Sequence, residues 1–399
     1  MDIDIASWLG LALRWLHMIT GIAWIGSSFY FIWLDNSLSP PATAEDKKAG
    51  VAGELWAVHG GGFYHKKKYK TAPGHMPPEL HWFKWEAYFT WISGFLLLCL
   101  MYYYGAELYL IDRSKFDLTT FQATFTGLGF IAAGWLFYDE LCKTKIGENG
   151  RLFGCIWFAF LTLAAWGLSQ IFTGRGAFIH VGAMIGTAMA FNVFAIIIPN
   201  QKIVVADLIA GRAPDPKLGL KAKQRSLHNN YMTLPVLLIM ISNHYPELFG
   251  HAYNWLLLAL LSAAAWPARQ FFNLKHKGVV DYRYLAAGAA GFIAVMLLAS
   301  SGKTVSDTSG ETVTAAEART IIRTHCSSCH SDTPVFEGIT EPPTGVMFDT
   351  MDDIRKYAER IRARAVTDQT MPQGNPTNMT DEERRRLGVW LDSLRNRAI

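Results

Sequence analysis

Along the first three hundred residues, apolar runs alternate with shorter polar stretches, and eight of the runs are long enough to matter. They stand at approximately 6–34, 86–108, 119–141, 151–172, 176–199, 230–249, 252–272 and 281–300, and a helix of about 20 mostly apolar residues crosses the hydrocarbon core of a bilayer. Past residue 300 the pattern breaks. The stretch SGKTVSDTSGETV has no apolar period and reads as a linker over 301–313. Short amphipathic segments occupy 314–399. Three of them open on a Ser/Thr-x-x-acid pattern, Thr314 with Glu317, Thr350 with Asp353 and Thr380 with Glu383, each suited to satisfying the orphan amides of a helix start. In the last, Leu387, Trp390, Leu391 and Leu394 recur at i, i+3, i+4 and i+7, which predicts one apolar stripe for another helix or a flat cofactor edge.

Composition agrees with that division. In 399 residues, 51% hydrophobic and 18% charged content is too apolar for an ordinary soluble chain. The first run is no cleavable leader, since MDIDI lacks a basic region and the run is long, with Arg14 and His17 inside it. The net charge of +4 is uninformative, but its distribution is not. Eighteen Lys and Arg fall in loops 35–85, 142–151, 200–229 and 273–280, against three in 109–118, 173–175 and 250–251. Basic loops stay inside, so both termini are expected outside. No nucleic-acid motif is present, which excludes that class of partner. Cys99, Cys142 and Cys155 lie in or beside apolar runs and read as small hydrophobes, so no disulfide framework is implied.

The other two cysteines carry chemistry. Cys326, Cys329 and His330 spell C-x-x-C-H, a c-type haem attachment signal in which two thiols add to the porphyrin and the imidazole ligates iron. A thioredoxin-like pair is the competing reading, but no βαβ pattern surrounds the motif. Met371, in the loop QTMPQGNP, is the expected sixth ligand, with Met347, Met351 and Met379 as rivals. The predicted fold is therefore all-α: a polytopic eight-helix transmembrane bundle over 1–300, then a small soluble class I-like cytochrome c domain over 314–399. Haem c is attached outside the bacterial cytoplasm, where the even number of spans also sends the tail. The bacterial inner membrane, with both termini and the tail periplasmic, is the expected location.

Ionisable residues inside spans are costly and are functional candidates by default. His17, His180 and His244 fall near the outer ends of three different spans, with His251 opening a fourth. Two of His17, His180 and His244 could hold a b-type haem as an electron relay; an ordinary helix-to-helix hydrogen bond is the commoner fate of each. The inner loop 35–85 holds His59, His65, His75 and His81, the run Gly60-Gly61-Gly62 and the block Lys66-Lys67-Lys68. Glycines permit close approach to a flat ligand and ammonium groups attract an anion, although a lysine block beside a span is ordinarily a topology determinant facing anionic lipid. The loop ending in KQRSLHNNYMT brings Arg225, His228, Asn229 and Asn230 to the same face, where guanidinium and amide groups suit a planar polar heterocycle. Zinc-finger spacing, H-E-x-x-H, a nucleophile elbow and a dinucleotide-binding glycine pattern are all missing from these clusters. Electron removal is the chemistry left.

The segments RWLHMITGIAWIG, WAVHGGGFYHKKKY, HWFKWEAYFTW and SLHNNYMTLPVLLIMISNHYP, with the terminal C-x-x-C-H, resemble the membrane-bound cytochrome c urate oxidases, or urate hydroxylases, over the whole chain. The resemblance implies oxidation of urate to 5-hydroxyisourate in bacterial purine degradation, with electrons passed through haem c to an external cytochrome or terminal oxidase rather than directly to oxygen. On that footing His59, His65 and His228 are the expected bases, Arg225, Asn229, Lys66 and Lys67 the expected anion site, and His17 and His180 the expected relay. Two other classes remain open at this point: a quinol-oxidising electron-transfer subunit, and a transporter with an appended cytochrome, for which Pro235 and Asn243-His244 in the sixth span give some support.

Overall fold

The computed structural model describes residues 5–70, 73, 76–300, 312–336 and 338–396. His75 and residues 301–311 of the linker lie outside the described residues. The chain is mostly helical. Long helical segments occupy each apolar run: α1 (Ile5–Ser37), α2 (Trp85–Leu98), α3 (Thr120–Lys143), α4 (Gly150–Ile171), α5 (Gly174–Phe191), α6 (Pro216–Ser242), α7 (Asn254–Lys275) and α8 (Arg283–Ser300). α2 runs on through a π-helical turn, Cys99–Tyr104, and α5 through another, Asn192–Ile197, to Ile209. Five of these segments are long and apolar enough to cross a membrane, namely α1, extended α2, α4, extended α5 and α8. α3, α6 and α7 match them in length but carry polar side chains that face partners inside the bundle.

Local chemistry sets the helix starts. Thr119 and Gln122 close a capping box on α3, Asn149 accepts the amides of Arg151 and Leu152 at α4, and Thr173 accepts that of Gly176 at α5. Asp215 caps α6, with Pro216 at its first position, where the missing N–H costs nothing. α5 is the most enclosed of the membrane-length helices and packs against α2, α3, α4 and α6. α1 and α8 lie at the rim, with faces left largely uncovered.

Two features depart from the sequence reading. The first is an antiparallel hairpin, β1 (Val51–His59) and β2 (Gly62–Tyr69), in a chain expected to be all-α. Its turn residues Gly60 and Gly61 have φ of 57° and 80°, which a two-residue hairpin turn needs and glycine supplies without strain. The glycine run thus turns a chain. The second is α6, which begins at Pro216, so that KQRSLHNNYMT is helix and not the end of a loop.

The tail has its own core. α9 (Ala315–His325), α10 (Met351–Lys356), α11 (Ala358–Ile361, continued by a π turn to Thr367) and α12 (Asp381–Asn396) enclose Ile321, Ile322, Ile354, Leu387, Trp390 and Leu391. The Thr314 and Thr350 capping boxes form, and Thr380 and Glu383 exchange the equivalent bonds at 2.8 and 3.2 Å. The tail docks on the bundle through backbone. A Cβ at Gly374 (φ 70°) would stand 2.7 Å from the Glu107 carbonyl and 3.0 Å from that of Ile111, and one at Gly250 would stand 2.7 Å from the Asp368 carbonyl.

Docking should accordingly be sensitive to one methyl group. Gly374→Ala is expected to raise hydrogen exchange in residues 105–112 and 368–376 while leaving α9 and α12 protected; unchanged exchange at the contact would show that docking does not depend on it.

Candidate functional site

Between the docked tail and the near end of the bundle lies a cavity of about 1200 Å³. Its tail wall includes Cys326, Cys329, His330 and Met371; its bundle wall includes Tyr109, Lys115, Arg175, Asn243 and His251. Both thiols are free, and burial pushes that of Cys326 up to about 12, so it stays protonated. His330 donates its Nδ1–H to the Val346 carbonyl at 2.9 Å, which leaves the Nε2 lone pair for a metal and fixes the ring plane. The Met371 loop is held by Arg384, buried in the tail, whose guanidinium donates to the carbonyls of Met371 and Ala365 at 2.5 Å. Two thiols, an imidazole with a free nitrogen and a thioether on one cavity fit a covalently held haem.

The histidines inside the bundle are packed against their neighbours. His180 is fully buried, with Nδ1 2.7 Å from the Gly176 carbonyl, Nε2 3.2 Å from the Tyr103 hydroxyl, and its ring so close to Gly127 that a Cβ there would collide. His17 lies over Gly94 of α2, with Nδ1 2.9 Å from the Thr90 carbonyl and 3.2 Å from the Ser93 hydroxyl. His244 is exposed just past the end of α6. Nδ1 of His17 and of His180 is thus held by a carbonyl, and the rings lie so close to Gly94 and Gly127 that a macrocycle beside either would require the helices to move apart.

The expected substrate residues fall into two groups. His59, His65, Lys66 and Lys67 sit on the hairpin. His65 bonds Glu54 at 2.8 Å and stacks on Trp56, Lys67 bonds Asp46 at 2.6 Å, and Lys66 lies over the Tyr30 ring at 5.1 Å. His59 is exposed near the turn, and His81 is exposed beside Phe83. Arg225, His228 and Asn229 sit on α6, within a network that sequence reading did not assemble. Arg225, 4% exposed, donates to Asp139 at 2.7 Å and to Asn192 at 3.1 Å, and its guanidinium lies over the Tyr138 ring. Asn192 donates to Tyr138 and to Asn229, both at 2.8 Å, and Tyr138 meets His228 Nδ1 at 2.9 Å. The network is neutralised and closed on itself, which leaves the Arg225 guanidinium little to offer a further anion.

Two other cations were not singled out by the sequence reading, Arg175 because it entered only the loop charge count. Arg269 of α7 is buried over the Phe29 ring at 3.9 Å and bonds Asn230, and one of its terminal nitrogens has no partner. Arg175 opens α5 on the cavity. An arginine inside the seventh apolar run was the available signal for the first; Arg175 gave none beyond its position.

A family model described as urate oxidase N-terminal matches residues 4–300, close to three quarters of the chain. The chain belongs to the urate oxidase N-terminal family. That match ends where the tail's linker begins, so the bundle, the hairpin and the bundle wall of the cavity are the family's portion. No curated protein and no solved structure matches. Family membership points to an oxidoreductase acting on urate, and the long apolar helices are compatible with a membrane protein.

The Arg225 network predicts a structural outcome. Arg225→Met removes one partner of a buried pair and should cost about 3–5 kcal/mol of stability in detergent-solubilised protein. A loss below about 1 kcal/mol would mean the network is not what locks α3, α5 and α6 together.

Proposed function

We propose that the protein is a membrane-bound urate oxidase that converts urate to 5-hydroxyisourate and passes the electrons to a haem c of its own tail. The observation that supports this reading is the shared cavity: the C-x-x-C-H residues of the tail and residues of the family-matched bundle line one space. Urate and one water give 5-hydroxyisourate, two protons and two electrons. Cys326 and Cys329 would hold the haem covalently, with His330 and Met371 as axial ligands, and such a group supplies a one-electron acceptor. Two electrons therefore leave singly, ending on an external cytochrome or terminal oxidase. The eight long segments would span the bacterial inner membrane, with the cavity end periplasmic and the basic hairpin end cytoplasmic, as the distribution of Lys and Arg favours.

Distance favours oxidation at the cavity end. Arg225 and Ser242 are on one helix, and the rise of a helix puts them about 25 Å apart along its axis. With His17 and His180 packed closely against Gly94 and Gly127, electrons released at the Arg225 network would have most of the bundle to cross before reaching the tail. The same argument weighs against the quinol-oxidising reading, which depends on haems within the bundle.

Anaerobic addition of urate to the purified full-length protein is expected to reduce the haem c without added quinol, and a pyridine-haem assay is expected to find c-type haem alone. Reduction by quinol but not by urate would overturn the proposal. Met371→Ala is expected to lower the haem's reduction potential with covalent attachment intact, since a thioether ligand raises it; an unchanged potential would dismiss Met371 as the ligand.

A further inference from the structure

The bundle wall of the cavity carries a cation that no carboxylate among the described residues neutralises. Lys115, on the same wall, is occupied by Asp112 at 3.2 Å and the Phe172 carbonyl at 2.7 Å. On the tail wall, Arg364 is paired with Asp368 at 2.9 Å, Arg384 is bound to carbonyls, and Arg360 lies over the Tyr357 ring at 5.7 Å. Arg175 forms no ion pair among the described residues, and its buried Nε has no hydrogen-bond partner. Its guanidinium carbon lies over the Tyr109 ring, 5.2 Å from the centroid, and the residue is half-buried. A guanidinium in that state attracts a planar anion.

Two neighbours on the wall add donors of defined sense. Tyr102 donates its hydroxyl proton to Asn243 Oδ1 at 3.1 Å, which fixes the amide and leaves Nδ2 as a donor. The Tyr253 amide donates to His251 Nδ1 at 3.0 Å, so the neutral ring carries its proton on Nε2. Arg175, Asn243 and His251 line one space, and the donors of all three suit an acceptor there. An oxo-purine anion is planar, negatively charged and rimmed with carbonyl oxygens.

Resting on the urate-oxidising function proposed above, we propose that this wall is the substrate seat: Arg175 anchors the anion, Asn243 and His251 bind its carbonyl oxygens, and the haem-bearing wall faces it directly. The seat takes oxo-purine anions as a class, and it places electron donor and acceptor in one cavity with no carrier between them.

The test uses full-length haem-loaded protein in detergent, with urate as substrate and xanthine as an equilibrium ligand of the oxidised protein. Arg175→Gln is expected to raise KM for urate and Kd for xanthine by about tenfold to a hundredfold, the loss of a charge-assisted hydrogen bond, while haem content and reduction potential stay as in the parent. Arg175→Lys should recover part of the xanthine affinity, because it keeps the charge but not the fork. Asn243→Asp, which turns a donor into a carboxylate, should weaken xanthine binding by at least a similar factor, and it serves as the second variant should Arg175→Gln fail to accumulate. Unchanged KM and Kd in Arg175→Gln would overturn the proposal. So would a shifted haem potential with unchanged xanthine binding, which would assign Arg175 to a haem carboxylate instead. If the parent protein binds xanthine in an Arg175-dependent way but is not reduced by urate, the seat stands and the urate-oxidising function falls.

Discussion

Backbone meeting backbone at two glycines is the contact on which the rest of this architecture depends. The tail reaches the bundle only because Gly374 and Gly250 bring no side chain between chains whose carbonyls lie within 3.0 Å of where a Cβ would be. A side chain at either place would push the tail outward and widen the space between tail and bundle. The docking contact therefore sets the width of that space as well as where the tail sits.

The bundle solves a different problem. Polar side chains of α3, α5 and α6 face inward at the hairpin end, and they are stable there because each is answered: Arg225 by Asp139, Asn192 by Arg225, Asn229 by Asn192, His228 by Tyr138. A closed network of this kind specifies which helices pair and in what register, at the cost of leaving nothing free for a ligand. The cavity wall is organised the opposite way. There the groups are held at one end and unanswered at the other, as in Asn243 with its oxygen occupied and Arg175 stacked but without an ion pair. Stability and recognition are in this way assigned to opposite ends of the same helices.

That contrast also explains what the sequence could and could not convey. The apolar runs, the capping boxes of the tail and the stripe Leu387, Trp390, Leu391 were legible because each is a local pattern with one physical solution. The hairpin was not, since Gly60-Gly61 between two stretches of mixed polarity fits a ligand loop as readily as a turn. α6 was cut short for a related reason: KQRSLHNNYMT is polar, and hydropathy cannot register that its amides and guanidinium are satisfied by residues 33 to 86 positions away. His17 and His180 were legible as intramembrane imidazoles, but their roles turn on Gly94 and Gly127, glycines that accept a ring edge-on from another helix. A residue type predicts chemistry only when its neighbours leave it unsatisfied, and neighbours are a property of the fold.

The two π turns of the bundle bear on the same division of labour. One begins at Cys99 and includes Tyr102 and Tyr103; the other begins at Asn192. Each inserts an extra residue into a long helix and so rotates its later turns relative to its earlier ones. In α2 the insertion falls where Tyr102 meets Asn243 and Tyr103 meets His180, at the cavity end. In α5 it falls where Asn192 joins Arg225, Tyr138 and Asn229, at the hairpin end. A regular α-helix carries one face along its whole length; with the insertion, α5 can present His180 to Tyr103 near one end and Asn192 to Arg225 near the other. The irregularity of these helices is what lets a bundle so apolar support two different polar environments.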